Sequence, residues 1–368
     1  MAHKELDRNR LLIKKLSGRK NKVYIGNDHI PVTKKPGNIS ASAELLIKQT
    51  AENIKLAREK KRSVILAFGA HTIKNGMAPT LIALMKEGWL SHLATNGAGI
   101  IHDWEFAYQG ESSEDVKENV KLGQFGIWEE TGFFINLALI IGAYEGLGYG
   151  ESVGKMISQE GLHIPDISSL YDIASSHMKS EPELSAAAVD LAGVISRLGL
   201  KSGFMSVKHP FKQYSVQAAA YELGIPFTSH PMIGHDIIYN HPVNHGAALG
   251  RCALRDFLSF ADSVTNIDHG VYISLGSAVM SPMIFEKALS MAQNLAIQEN
   301  RHIDHHKMLI VDLAESDWDW KKGEPPADNP AYYLRYCKTF SRMGGEMNYL
   351  TADNRDFLLA LYQQLNSK

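Results

Sequence analysis

Cysteine is nearly absent: Cys252 and Cys337 are the only two in 368 residues. Such a chain can build neither a disulfide framework nor a cysteine zinc site. The usage is that of a reducing, cytoplasmic compartment. An excess of either charge is lacking too. Lys and Arg number 38 against 40 Asp and Glu, so no nucleic-acid binding and no membrane-surface attachment is expected. No apolar run reaches the length of a bilayer span. The longest, GFFINLALIIGAYEG over 132–146, reads as a buried helix. The N-terminal MAHKELDRNRLLIKKLSGRKNK has no apolar core of signal-peptide length. Neither standard phosphate fingerprint, GxGxxG or the P-loop, occurs, and no repeat of solenoid period is visible.

What is present is a globular composition, 45% apolar and 21% charged, with short apolar strands alternating with helices. Ser40 caps a helical stretch over 41–61, SVILAF (63–68) is a buried strand, 77–88 is helical with Pro79 in its first turn, and HLAT is the next strand. The middle, 111–200, is mostly helical. Alternation then resumes through IPFTSHPMI, GVYISLG and KMLIVDLA as strands, and NPAYYLRYCKTFSRMGG and NRDFLLALYQQL as closing helices. The pattern predicts an α/β fold, a doubly wound, mostly parallel sheet with helices on both faces. Residues 1–40 read as an N-terminal arm and 41–368 as one domain.

Two strands end in glycine-bearing polar loops, LAFGAHTIKNG and HLATNGAGIIHDWE. Ligands of parallel α/β sheets bind at the carboxyl ends of strands, where glycine lets backbone N–H groups come close. Thr95, Asn96, Gly97, Ala98, Gly99, His102 and Asp103 are therefore candidate floor and wall of a site. The same residues also suit an ordinary strand-to-helix turn capped by Asn96. Gly276 and Ser277 in YISLGSAVMSP repeat the pattern, with a simple helix cap as the other reading. Histidines cluster in GHDIIYNHPVNHG and RHIDHHK. Solvated or hydrogen-bonding roles are preferred there over a metal site, and His235 and Asp236 follow a strand closely enough to serve proton transfer. Near the C-terminus, Lys338 lies among Tyr333, Tyr336 and Cys337, downstream of Glu324 and Asp328. A lysine desolvated by aromatics loses its proton more easily and can attack a carbonyl or imine carbon. A surface lysine on an amphipathic helix is the alternative. Asp353 stands at another helix start.

Taken in order, these segments resemble deoxyhypusine synthase and its bacterial relatives. GAHTIKNG and TNGAGIIHD correspond to that family's TSNLISSG and TTAGG loops, and ISLGSAVMSP to its LGGGVVKHH loop. NPAYYLRYCK places Lys338 eight residues after Pro330, as the family's catalytic lysine follows its proline. The resemblance covers the chain from about residue 41 onward. It implies NAD held by Asn75, Gly76, Thr95, Gly97, Gly99, Gly276, Ser277 and Asp353, and an imine on Lys338. It also implies aminoalkyl transfer from a polyamine and a homo-oligomer, a dimer or tetramer.

The departures point to a shifted amine substrate. Pro282 and Met283 stand where the family has a histidine used in oxidation, and Tyr336 stands for its tryptophan. His102 replaces its glutamate, and Pro325 and Lys322 its acidic pair. His102, Glu324, Asp328 and Tyr336 are then the candidate substrate contacts. The expected function is NAD-dependent transfer through a lysine imine. A non-catalytic nucleotide-binding or regulatory relative is the alternative, and a metal-dependent hydrolase a more distant one.

Overall fold

In the computed structural model, which describes residues 3–37 and 39–367, the chain divides into two compact units. One comprises the described residues up to Asn27 with Ile100–Ala218 and Pro231–Arg255. The other comprises Asp28–Gly99, Ala219–His230 and Asp256 onward. The residues from 41 on are shared between them.

The second unit holds a six-stranded sheet: β1 (Val64–Phe68), β2 (His92–Thr95), β3 (Phe227–Ser229), β4 (Val271–Leu275), β5 (Lys307–Asp312) and β6 (Glu346–Thr351). The order across the sheet is β6-β5-β4-β1-β2-β3, and every neighbouring pair is parallel. β1, β2 and β4 are buried at every position, as strands covered on both faces must be. The fold is a doubly wound, Rossmann-like α/β sheet enclosed by helices. Its core runs from Ile65 and Ala67 through Phe260, Tyr272, Phe285 and Phe340, with Tyr272 stacked on Phe285 at 4.0 Å.

Helix starts follow local chemistry. Ser40 Oγ accepts the Ala43 N–H at 3.2 Å and opens the helix Ala41–Glu59. Pro79 lies in the first turn of Ala78–Lys86, where its missing N–H costs little. Three sequence expectations change. IPFTSHPMI contributes only Phe227–Ser229, because prolines at 226 and 231 have no N–H to donate to a ladder, although Pro226 O still accepts the Leu93 N–H at 3.0 Å. The helix expected from Pro330 breaks at Leu334, whose ψ of 71° is not helical; a 3-10 turn, Pro330–Tyr333, is followed by a short helix, Arg335–Ser341. EMNYLT, not recognised as a strand, forms the edge strand β6.

The first unit is mainly helical, built on Glu129–Glu145, Tyr149–Gln159, Ile167–His177 and Pro182–Leu198. It carries two small antiparallel ribbons. Asn21–Tyr24 pairs with Glu111–Glu114, and Gly161–Ile164 with Gly203–Ser206. A buried ion pair anchors the first ribbon: Arg19 Nη1 and Nη2 donate to both oxygens of Glu105 at 2.7 and 2.6 Å. Among the described residues no single helix is long and apolar enough to cross a membrane.

Candidate functional site

All six strands run in one direction, so the residues that follow them share one edge of the sheet. Their order reverses between β1 and β4, the two strands that begin the halves of the sheet. In open parallel sheets this reversal opens a crevice, because the connections on its two sides leave toward opposite faces.

The backbone at that point is glycine on both sides. Gly69 follows β1 and donates its N–H to Leu275 O at 3.0 Å. A Cβ on Gly69 would lie 2.2 Å from the Gly276 carbonyl oxygen, so no side chain fits there. Gly276 follows β4 with φ of +56° and open space where a Cβ would point. It is exposed, and its N–H donates to Val311 O at 2.9 Å. Ser277 Oγ accepts the Ser281 N–H at 3.2 Å. The helix Met280–Gln298 then begins after Val279, whose side chain makes no cap. With Ser281 N–H on Ser277 and no N–H at Pro282, the Met280 N–H is the first-turn donor that faces outward from the helix. Gly69 was absent from the sequence-derived set. Its signal, a glycine immediately after an apolar strand, was present but masked by the missing GxGxxG.

The β2 end is tied to β1 through Thr95, whose buried hydroxyl donates to Phe68 O at 2.9 Å. Gly99 is required by that threonine: a Cβ would meet Thr95 Oγ1 at 2.3 Å. Asn96 Oδ1 accepts the Gly99 N–H at 3.0 Å at the start of the helix Gly97–Gln109, which also includes Ala98. At the β3 end, His230 N–H donates to Thr95 O at 2.8 Å. Its ring is linked through Thr228 Oγ1 (3.0 Å) to buried His92 (2.9 Å). Burial pulls both imidazoles down to about 3, so they are neutral hydrogen-bonding groups at pH 7. His230 also escaped the sequence reading.

Other predicted residues have local tasks. Gly76, at φ +78°, packs against the backbone of Asp28, whose carbonyl oxygen would be 2.0 Å from a Cβ. Asn75 Nδ2 donates to Asn354 Oδ1 at 3.1 Å, which brings the β1 loop to the last helix. Asp353 caps that helix through the Arg355 N–H at 2.8 Å, and its carboxyl is lowered chiefly by the Arg355 side chain. Thus Asn75 and Asp353 meet by way of Asn354, while Thr95, Asn96, Gly97 and Gly99 form the β2 turn.

The structure corrects the state of Lys338. Its Nζ lies 2.7 Å from Glu324 Oε1 and 3.4 Å from the centre of the Tyr332 ring. The Glu324 hydrogen bond raises the amine above its ordinary value, so it is held as an ammonium and not as the neutral nucleophile expected. Arg342 binds the other Glu324 oxygen. Asp328 and Tyr333 are exposed. Burial raises the Tyr336 phenol, which lies 3.3 Å from Tyr349 Oη.

The remaining candidates belong to the helical unit. His102 Nδ1 is 2.7 Å from Ser112 Oγ. Asp103 is 1% exposed and receives the Ser215 hydroxyl at 2.6 Å, the N–H groups of Val216 and Gln217, and the Gln217 amide. Burial raises its carboxyl against those bonds. His235 is exposed, while burial pushes the Asp236 carboxyl up to about 7 and leaves its Oδ2 without a hydrogen-bond partner among the described residues.

No known protein family matches the sequence, and no curated protein does. Solved structures with a measure of similarity are found. ArgZ, an arginine dihydrolase from the ornithine–ammonia cycle in cyanobacteria, in its apo form, is 17% identical with a TM-score of 0.41, over 89% of this chain and 33% of that one. The ternary complex of AgrE with ornithine and NAD+ is 16% identical with a TM-score of 0.42, over 88% of this chain and 33% of that one. A conserved LOR/SDH protein from Methanococcus maripaludis S2 is 12% identical with a TM-score of 0.42, over 97% of this chain and 76% of that one. The chain thus spans about a third of the length of ArgZ and AgrE. The resemblance to deoxyhypusine synthase does not hold. No such family matches the sequence, and the similar structures reported above are of other proteins. Aminobutyl transfer, the polyamine substrate and the tetramer lose the support they drew from it.

Proposed function

We propose that the chain is an NAD-dependent enzyme acting on a small organic molecule, with the dinucleotide over the carboxyl edge of the sheet. The observation that carries this reading is the meeting of Gly69 and Gly276 where the strand order reverses between β1 and β4. This strand order is one that binds dinucleotides at its reversal point. The residues there fit the cofactor. A floor without Cβ atoms admits a flat, wide ligand. The start of the helix Met280–Gln298 offers the Met280 N–H and the positive end of its dipole to a pyrophosphate. Ser277 lies in the same turn. Asn96, at the end of β2, would bond a ribose hydroxyl through its Nδ2, its Oδ1 being taken by the Gly99 N–H. When bound, NAD supplies hydride acceptance. His230 is a neutral donor or acceptor at the β3 end of the same edge.

Calorimetric titration of the purified chain with NAD+ and NADH tests this. Saturable binding is expected. Gly276→Ala should weaken it at least tenfold, about 1.4 kcal/mol. The substitution costs about 1–2 kcal/mol of left-handed strain and displaces no neighbour, so the fold survives for the comparison. Gly69→Ala should also lose binding, with a larger fall in Tm. Absence of binding by the wild type at millimolar nucleotide overturns the proposal, as does unchanged affinity in Gly276→Ala.

A further inference from the structure

At the amino edge of the same sheet a second group of side chains converges. Val271 of β4 and Lys307 of β5 are register partners. Two residues earlier, His269 and His305 occupy matching positions in the approaches to those strands. Adjacent strands lie roughly 4.8 Å apart, and the two imidazoles stack at 4.6 Å between centroids with planes 6° apart. Asp268 adjoins them. Its Oδ1 accepts the backbone N–H groups of Asp304 at 3.1 Å and His305 at 2.8 Å, which fixes the carboxylate between the two approaches. Burial works against the charge, but those bonds outweigh it and hold the carboxyl below its ordinary range.

We propose that Asp268, His269 and His305 form a binding site for a divalent transition metal of the zinc class. One ligand atom from each lies within 4.8 Å of the other two. His269 Nε2 is 3.7 Å from Asp268 Oδ2, and His305 Nδ1 is 3.4 Å from Asp268 Oδ1. Ligands about 2.1 Å from a tetrahedral zinc are roughly 3.4 Å apart. Each histidine is near that spacing from the carboxylate, and since a metal lies in the plane of each imidazole, the stacked, exposed rings turn out of their stack to bind it. Two imidazoles and one carboxylate suit Zn2+, Ni2+ or Cu2+ better than Mg2+ or Ca2+, which take oxygen ligands. Three protein ligands leave a fourth position for water.

The site is separate from the proposed cofactor crevice. His269 precedes β4 and Gly276 follows it, and the five residues of β4 at about 3.3 Å each set them apart. A metal here ties the approach to β4 to the approach to β5 and takes no part in chemistry at the carboxyl edge. Neighbouring His302, paired with Asp304 at 2.7 Å, lies outside the trio and serves as a control.

The chelator-stripped 368-residue chain is titrated with ZnCl2 by calorimetry, with the bound metal counted by elemental analysis. The wild type should take up one zinc per chain, and its Tm should rise with added zinc. His305→Ala and His269→Gly should each weaken binding at least tenfold, and His302→Ala should leave it unchanged. Glycine is chosen at 269 because the backbone there has φ of +60°, which glycine adopts freely. No zinc uptake by the wild type overturns the proposal. So does undiminished affinity in His305→Ala and His269→Gly, or a loss in His302→Ala equal to theirs.

Discussion

The two units solve opposite problems with their polar groups. In the sheet unit β1 is apolar from end to end, the buried His92–Thr228 pair lies between β2 and β3, and further hydrogen-bonding side chains gather where strands stop: Thr95, Asn96, His230 and Ser277 at one edge, Asp268, His269 and His305 at the other. In the helical unit the polar groups lie inside. Arg19 and Glu105 side chains are each 1% exposed. Glu105 is also bonded by Ser112 at 2.5 Å and Thr131 at 3.0 Å, and Asp103 is sealed beneath the start of the helix Val216–Leu223. A sheet covered on both faces expels its chemistry to its edges. A bundle with short ribbons uses buried polar bonds to specify which segments meet.

The sharpest way to part the units is acid. His92 and His306 are fully buried, and burial lowers them to about 3 and about 4. His29 and His230 are lowered as well. A histidine whose folded value is depressed is neutral when folded and protonated when unfolded between the two values. Its contribution is therefore whole above about pH 6.5 and is lost as pH falls toward 4. The slope is about 1.4 kcal/mol per pH unit for each fully buried ring. In the helical unit His209 acts in the same direction, but Asp236 acts in the other. Its carboxyl, raised to about 7, stabilises below about pH 3.9, and that contribution is lost as pH rises through about 7. Hydrogen exchange at pH 7 and pH 5 should show β1, β2 and β4 losing protection before Glu129–Glu145. Equal losses in both units would contradict the comparison.

A substitution reaches the helical unit instead. Removing one partner of a buried ion pair leaves the other charge stranded, which costs about 3–5 kcal/mol. In this pair burial opposes both charges, yet the partners prevail: Arg19 is raised and Glu105 lowered. Arg19→Ala should lower the free energy of unfolding, read from denaturant titration, by that amount and expose the ribbon formed by Asn21–Tyr24 and Glu111–Glu114 to exchange first. A change below 1 kcal/mol would mean that Glu105 is held well enough by Ser112 and Thr131 alone.

The same contrast explains what was legible in the sequence. β1, β2, β4 and β5 announce themselves as apolar runs, and with them the fold class. β6 does not, because at the sheet edge only Met347 and Leu350 of EMNYLT are buried. The strand order is silent in the sequence, since a long insertion separates β2 from β3. Glycines at strand ends were visible, but their reasons were not. Gly76 serves the Asp28 backbone and Gly99 serves Thr95, while Gly69 alone meets Gly276. Only the fold tells which neighbour each of these glycines makes room for, and that Gly276 is the one that opens onto free space. The Arg19–Glu105 pair joins residues with no common local pattern, so nothing in either segment marks it.

The smallest expected effect is at Lys338, which had looked most chemical. Its ammonium is matched by Glu324 and lies over Tyr332, with the side chain 14% exposed. Exposed and partly exposed pairs are worth little, and the cation–π contact adds only modestly. Lys338→Ala should therefore lower the Tm only slightly and leave NAD+ affinity unchanged, because the glycine turns at Gly69 and Gly276 do not depend on it. Glu324 remains paired with Arg342 in the variant, so no carboxylate is stranded. Borohydride treatment with amines and carbonyl compounds checks the other side of the argument. An ammonium held by a carboxylate forms no imine, so Lys338 should stay unmodified, and a reduced adduct on it would restore a nucleophilic role.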